Sequence, residues 1–295
     1  MVERRFLIYA LGTGRGHATR MGALSLALAA LGVEVQLVVS TPALGVLREL
    51  GVAPEFISKP CTRPERAWPL ALHAFEPTDC VVDTFPEGLY QEVDPRQDSR
   101  ARWVALLRCR RDAGSAAFQT SLARFAVVLD LEPALGWAPA SARPFGSVVR
   151  TIGGGANPIS ADVLLLATEA RQRPFLENLS KRLERAGVRT ACLPTPGTPR
   201  SEAPLLTRAA FDVKAVVGPA GYNLTYELSA LGIWHLALPA ARQYDWQELR
   251  AERIAVVAHS PAAVERRVRA WLDQGVARRP GSVRAMSDLA EALVG

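Results

Sequence analysis

RFLIYALGTGRGHATRMGALSLALAALGVEVQLVVS, Arg5 to Ser40, decides the fold. Arg5 to Gly12 is a continuous apolar run ending in glycine, the pattern of a strand buried on both faces of a parallel sheet. Thr19 to Leu31 is rich in alanine and leucine and stops at Gly32, which predicts a helix with a glycine C-cap. VEVQLVVS then supplies a second strand and closes a β-loop-α-β unit of about 35 residues.

The same alternation continues on both sides of one break. LRELGV reads as helical, and CVVDTF (Cys80 to Phe85), RWVALLR and FAVVLDL (Phe125 to Leu131) read as short apolar strands, which predicts a parallel sheet with helices on both faces. RTIGGGANPISA is poor in apolar residues and rich in glycine, so residues 150–161 are expected to link two domains, 1–149 and 162–295. After it, ADVLLLAT predicts a strand, RPFLENLSKRLERAG a helix, VRTACLP a strand, APLLTRA a short helix and AVVGPAG a strand opening into a loop. NLTYELSALG then predicts a helix, IWHLALPA a strand, and Ser260 with Pro261 a further helix start. The fold class is α/β, with two Rossmann-like parallel-sheet domains expected to face a cleft.

Composition restricts what such a chain does. Of 295 residues, 49% are hydrophobic and 22% charged, and no apolar run approaches the roughly 18 residues of a membrane span. MVERRFLIYALGTG lacks the small-residue cleavage site of a signal peptide. Cys61, Cys80, Cys109 and Cys192 are scattered with no metal-ligand spacing, so they are expected as reduced thiols in a cytoplasm and no metal is expected. The net charge of +6 is carried by arginines spread along the whole chain, which argues against a nucleic-acid partner. Arg108, Arg110 and Arg111 form the tightest basic cluster and offer a peripheral membrane contact or an anionic acceptor contact.

Ligands of doubly wound sheets bind beyond the carboxyl ends of the strands, which directs attention to two glycine-rich loops. The first, Gly12-Thr13-Gly14-Arg15-Gly16-His17-Ala18-Thr19-Arg20, permits close approach of a ligand to the helix that follows. It is not a dinucleotide fingerprint: His17 stands where glycine would be needed, and the second strand ends in VVST with no acidic residue for a ribose. In the second, Val217-Gly218-Pro219-Ala220-Gly221-Tyr222-Asn223-Leu224-Thr225-Tyr226-Glu227, a strand enters a helix whose free amides suit a diphosphate. Glu227, about one turn into that helix, has the chemistry to accept two vicinal ribose hydroxyls. His17 is the candidate base for an acceptor hydroxyl, and Asp83, at the end of CVVDTF, is the second candidate.

GTGRGHATRMGALSLALAALG resembles the opening of the GT-B glycosyltransferases related to the peptidoglycan precursor N-acetylglucosaminyltransferase, the family 28-like enzymes. VVGPAGYNLTYELSALGIWHLALPAARQYDWQELRA is similar to their donor-site signature. The resemblance implies metal-independent transfer of a sugar from a nucleotide-diphosphate donor, UDP-linked by analogy, to an unidentified acceptor, with no cofactor. It implies that Glu227 binds ribose, that Gln247 reads the donor sugar, and that Gly218, Ala220, Gly221, Asn223 and Leu224 form the loop facing the diphosphate. Gly14, Arg15, Gly16 and Arg20 are implied on the acceptor side. Two departures stand out: Thr168-Glu169-Ala170-Arg171-Gln172 replaces a glycine-rich loop, with Arg171 or Arg173 as electrostatic substitutes, and only one of the expected glutamines precedes the helix at Gln247. They keep two alternatives open, a sugar-nucleotide hydrolase or epimerase on this fold and a non-catalytic sugar-nucleotide-binding protein.

Overall fold

The computed structural model describes residues 4–12, 15–58, 64–150, 159–167, 170–193, 211–275 and 280–295. The chain divides into two compact units, Met1–Thr151 with Arg284–Gly295, and Ile152–Val283. The expected linker core at 151–158 and the helix expected from APLLTRA lie outside the described residues.

In the first unit, β1 (Arg5–Ala10), β2 (Glu34–Val39), β3 (Asp79–Asp83), β4 (Arg102–Leu107), β5 (Val127–Asp130) and β6 (Arg143–Pro144) form one parallel sheet in the order β2-β1-β3-β4-β5-β6. The continuous apolar runs account for it: every residue of β3, and all of β1 and β4 after the first, is buried. Helices α1 (Arg15–Ala30), α2 (Leu44–Glu49), α3 (Pro64–Phe75) and α4 (Ala116–Leu122) connect the strands. Helix α3 carries Pro69 inside it, yet its Trp68 is fully buried and meets Tyr9 and Trp103 edge-on at 5.5 and 5.8 Å. That aromatic packing favours the helix against the hydrogen bond that a proline removes.

In the second unit the two-residue β8 (Ile159–Ser160) is set apart from the main sheet. β9 (Val163–Leu166) leads through α5 (Arg173–Arg185) to β10 (Thr190–Leu193), and the short β11 (Phe211–Asp212), which pairs with β8, precedes β12 (Ala215–Gly218). Helix α6 (Tyr222–Ala230), β13 (Trp234–Ala237), α7 (Gln247–Ile254), β14 (Val256–Val257) and α8 (Pro261–Gln274) follow. The main sheet is parallel with the order β10-β9-β12-β13-β14. One core lies under α5 and α8, where Leu179, Leu183, Val264 and Val268 meet Val163, Val217 and Leu236; another lies under α6. Ser260 caps α8 as expected, its Oγ accepting from the Ala263 amide at 3.2 Å.

The C-terminal segment departs from the expected division. β15 (Arg284–Ala285) pairs with β7 (Val148–Val149), and α9 (Met286–Val294) packs on α1, so the last twelve residues complete the first unit rather than ending the second. Arg4 Nη1 donates to the Leu293 carbonyl at 2.9 Å, and Arg102 donates to the same carbonyl, placing cations on the negative end of α9. No helix among the described residues is long and apolar enough to cross a membrane.

Candidate functional site

Both sheets share one topological feature. Each chain path runs from its first strand to one neighbour and then crosses to the other side, so the order reverses between β1 and β3 in the first unit and between β9 and β12 in the second. The carboxyl ends at such a reversal leave a crevice where ligands bind.

At the first reversal, β1 runs through Gly12 into α1, and β3 ends at Asp83. Helix α1 begins at Arg15 rather than Thr19, so Gly16 and His17 are helical rather than in a loop, with His17 in the first turn and Arg20 in the helix as expected. Gly14 lies outside the described residues. The His17 ring packs over Gly12 so closely that a Cβ there would lie 2.9 Å from His17 Cδ2. His17 Nδ1 is 2.6 Å from Asp83 Oδ2. Because a carboxylate only accepts, Nδ1 carries the proton and Nε2 is left as the basic nitrogen. The two candidate bases are therefore not rivals: Asp83 orients His17.

Arg20, expected on the acceptor side, is 2% exposed and donates to both Asp83 oxygens, from Nε at 3.2 Å and from Nη2. Burial pushes the Asp83 pKa upward, but Arg20, His17 and Arg108 outweigh it and hold the carboxyl well below the usual range. Burial is also the largest influence on His17 and lowers its pKa below the ordinary 6.5; Asp83 opposes the shift, while Arg108 and Arg20 add to it. The pair at neutral pH is thus a neutral imidazole on an ionised carboxylate, the state a general base requires.

Three neighbours join the pair: Thr84, which the sequence did not single out, and Arg108 and Arg110, expected only as part of a basic cluster offering a membrane or anionic-acceptor contact. Thr84 has φ +70°, a strained value for a β-branched residue, and its hydroxyl donates to Asp83 Oδ1 at 3.1 Å. Arg108, one residue beyond β4, donates through Nε to Thr84 Oγ1 at 2.8 Å and brings Nη2 to 3.5 Å from His17 Nε2. Arg110 is fully buried, donates to the Thr84 carbonyl at 2.8 Å and sits over the Phe85 and Phe118 rings at 5.1 and 4.7 Å. The Arg108–Arg111 cluster is therefore not one basic surface patch, and of the three only Arg111 is exposed. The legible signal was position: Arg108 and Arg110 alternate directly beyond the carboxyl end of a buried strand, next to the reversal.

At the second reversal, β12 delivers the chain through Pro219 and Ala220 to Gly221, the N-cap of α6. A Cβ at Gly218 would come within 2.9 Å of Leu166 Cβ, so this glycine permits close approach of β9 and β12. A Cβ at Gly221 would meet nothing within 4 Å, and a glycine N-cap brings no side-chain acceptor to the first-turn amides. Ala220 packs with Ala237 and Ala251, and Leu224 packs in the core with Leu166, Val216 and Ile233. Both side chains are therefore committed to packing, and the polar groups of the segment are the α6 amides, half-buried Asn223, and buried Tyr222, Thr225, Tyr226 and Glu227. Glu227 is 4% exposed and lies one turn after Asn223 on the same helical face. Thr225 Oγ1 is buried with no hydrogen-bond partner among the described residues.

Gln247 braces the loop beyond β13: its Oε1 accepts from the Ala240 amide at 3.1 Å and its Nε2 donates to Asp245 at 3.0 Å. Arg250, fully buried and absent from the expected set, joins Asp245 to the Ala220 carbonyl at 2.9 Å and so fixes the turn before Gly221. Arg171 and Arg173 are exposed; Gln172 between them donates to the Leu238 carbonyl at 3.3 Å, while Thr168 and Glu169 lie outside the described residues.

The chain matches no family model, and no curated protein matches it in sequence. Solved structures do match in fold. A glycosyltransferase from Streptomyces sp. SF2575 complexed with thymidine diphosphate is 14% identical, covers 99% of each chain and has a TM-score of 0.61. The spinosyn forosaminyltransferase is 13% identical over 99% of this chain and 94% of its own, with a TM-score of 0.65. A UDP-N-acetylglucosamine 2-epimerase, so described provisionally, from Listeria monocytogenes is 13% identical over 98% and 94%, with a TM-score of 0.63. At such identities the likeness is one of fold, and the fold is that of GT-B glycosyltransferases.

Proposed function

We propose that the protein is a metal-independent glycosyltransferase that moves a sugar from a nucleotide-diphosphate donor to an acceptor hydroxyl, related to the family 28-like enzymes. One observation carries the reading: His17 Nδ1 is held by an ionised carboxylate at 2.6 Å, leaving Nε2 basic at a sheet reversal. In the transfer the acceptor O–H proton passes to Nε2 as the oxygen attacks the anomeric carbon. The bond from that carbon to the β-phosphate oxygen breaks, and the nucleoside diphosphate leaves with the electron pair. Asp83 stabilises the imidazolium that forms, the role of the carboxylate in a His–Asp pair.

The second unit carries the donor. Its α6 amides and positive helix end stabilise the charge developing on the diphosphate, electrostatic work that other enzymes give to a metal. Glu227 holds the ribose. Gln247 acts by shaping the loop, with the sugar approaching its backbone rather than a free amide. UDP is the base implied by the resemblance, and thymidine diphosphate, bound by one of the fold neighbours, is the comparison.

Calorimetric titration of both diphosphates tests this donor site. The parent protein should bind one of them saturably, and Glu227→Ala should weaken it by about 1.5 to 3 kcal/mol with the fold intact. Unchanged affinity removes Glu227 from the site. The epimerase among the fold neighbours supplies the rival reading, in which the donor sugar is its own substrate; epimerised sugar nucleotide with no acceptor glycoside would favour it.

A further inference from the structure

The edge of the second sheet carries a hollow that the proposed reaction does not use. β14 is the last strand of that sheet, and the chain passes through Ala258, His259 and Ser260 directly into α8. Between strand and helix lies a cavity of about 370 Å³. Its floor is Leu236 and Val264, each 1% exposed, and half-buried Val256 and Val257 stand beside them. The space is left by small residues: Ala263 and Ala270 line it, whereas Val264, Val268 and Trp271 fill the core on the neighbouring face of α8. A volume of this size lies at the lower end of small-molecule sites, about 300 to 1,000 Å³, which favours a small ligand over a folded partner.

The charge around the hollow is one-sided. His259, Arg266 and Arg267 line it and are exposed, so they form its rim, and no acidic residue lines it among the described residues. Neither arginine makes an ion pair among the described residues, and the adjoining Glu265 is taken by Arg182 of α5 at 2.8 Å. Exposed arginines on a helix are ordinarily solvated and need no explanation. These two differ in standing at the mouth of an apolar space, and an apolar floor with a cationic rim is complementary to an aliphatic chain that ends in an anion.

We propose that this cavity binds a small amphipathic anion, an aliphatic chain of medium length whose carboxylate or phosphate head pairs with Arg266 and Arg267. The chain displaces water from Leu236, Val256 and Val264, while the head stays at the rim, where a forked guanidinium meets two of its oxygens. The lining lies wholly within the second unit and shares no residue with α6 or the Gly218–Gly221 loop. The site therefore stands or falls independently of the transferase reading.

The test uses the full chain, isotope-labelled, with the amides of Val256, Val257, Ala263 and Ala270 followed by NMR. Octanoate, octyl phosphate and neutral octanol are titrated in turn, with acetate and inorganic phosphate as chainless controls at matched ionic strength. An octyl anion should give saturable shifts at these amides, with an affinity at least about tenfold above both octanol and its chainless control. The head that binds more tightly names the ligand class. The exposed pair Arg266→Gln and Arg267→Gln, made together, should reduce the preference over octanol to about threefold or less, and Ala263→Leu, which fills the hollow, should abolish the shifts. If thermal unfolding shows Ala263→Leu to be destabilised, the arginine pair alone decides. No saturable shift at these amides in the parent, octanol or a chainless anion binding as tightly as its octyl counterpart, or a preference that survives loss of both arginines overturns the proposal.

Discussion

At the residue scale, two buried groups, His17 and Asp83, set the protonation of the site. His17 has a folded pKa below 6.5, so the neutral base persists as pH falls past the value at which an ordinary histidine protonates. Activity should hold to below pH 6.5 and then fall as His17 titrates. Arg108→Gln removes an influence that lowers this pKa and should move the acid limb upward; Asp83→Asn removes one that raises it and should move the limb downward, with kcat reduced about 10²-fold or more. A pH–rate series on the three proteins reads both shifts, and limbs that coincide would take His17 out of the rate. The residue types at this site were legible in the sequence; their grouping was only partly so. His17 and Asp83 are 66 positions apart and meet because β1 and β3 pair, with Tyr9 opposite Val82. The run Arg108–Arg111 read as surface charge because charge is usually solvated, and burial of Arg110 between two rings is a tertiary fact that no local pattern carries.

At the element scale, two glycines that look alike in the sequence do different work. Gly12 lies under the His17 ring and Gly218 lies against Leu166, each leaving 2.9 Å for an added Cβ. Gly12→Ala should displace the imidazole and lower turnover by about tenfold or more, since small misplacements of a reacting group are costly, while stability changes little. Gly218→Ala should show the opposite balance, a loss of about 1 to 3 kcal/mol in urea unfolding from overpacking β9 on β12. Equal effects of the two on stability would contradict the assignment. The strands were readable because continuous apolar runs have few alternatives; the start of α1 was not. Glycines at 12, 14 and 16 suggest a loop, yet Gly16 occupies the first turn, where the amides need no intrahelical partner and glycine costs less than in a helix interior. Helix α3 was hidden by Pro69, whose local cost is met by the burial of Trp68.

At the scale of the whole molecule, the order of elements was legible and the return of the C-terminus was not. MSDLAEALV is an amphipathic helix that any nearby apolar face would satisfy, and only the tertiary structure sets it on α1. Met286, Leu289, Ala290 and Leu293 are buried there, so removal of residues 284–295 should cost the first unit about 4 kcal/mol or more, read as a lower urea midpoint. A midpoint unchanged by the truncation would contradict that packing. His17 and Asp83 lie in one unit, the α6 amides and Glu227 in the other. The proposed reaction, transfer of a sugar, draws on both. Mass spectrometry of reactions pairing UDP- and dTDP-sugars with a panel of hydroxyl acceptors, run with the parent and His17→Asn side by side, tests it directly. A glycoside and free nucleoside diphosphate in equal amounts are expected from the parent, and about 10²-fold less of both from His17→Asn at unchanged donor affinity. Equal glycoside from the two proteins, or donor bound by the parent with none consumed, would contradict it.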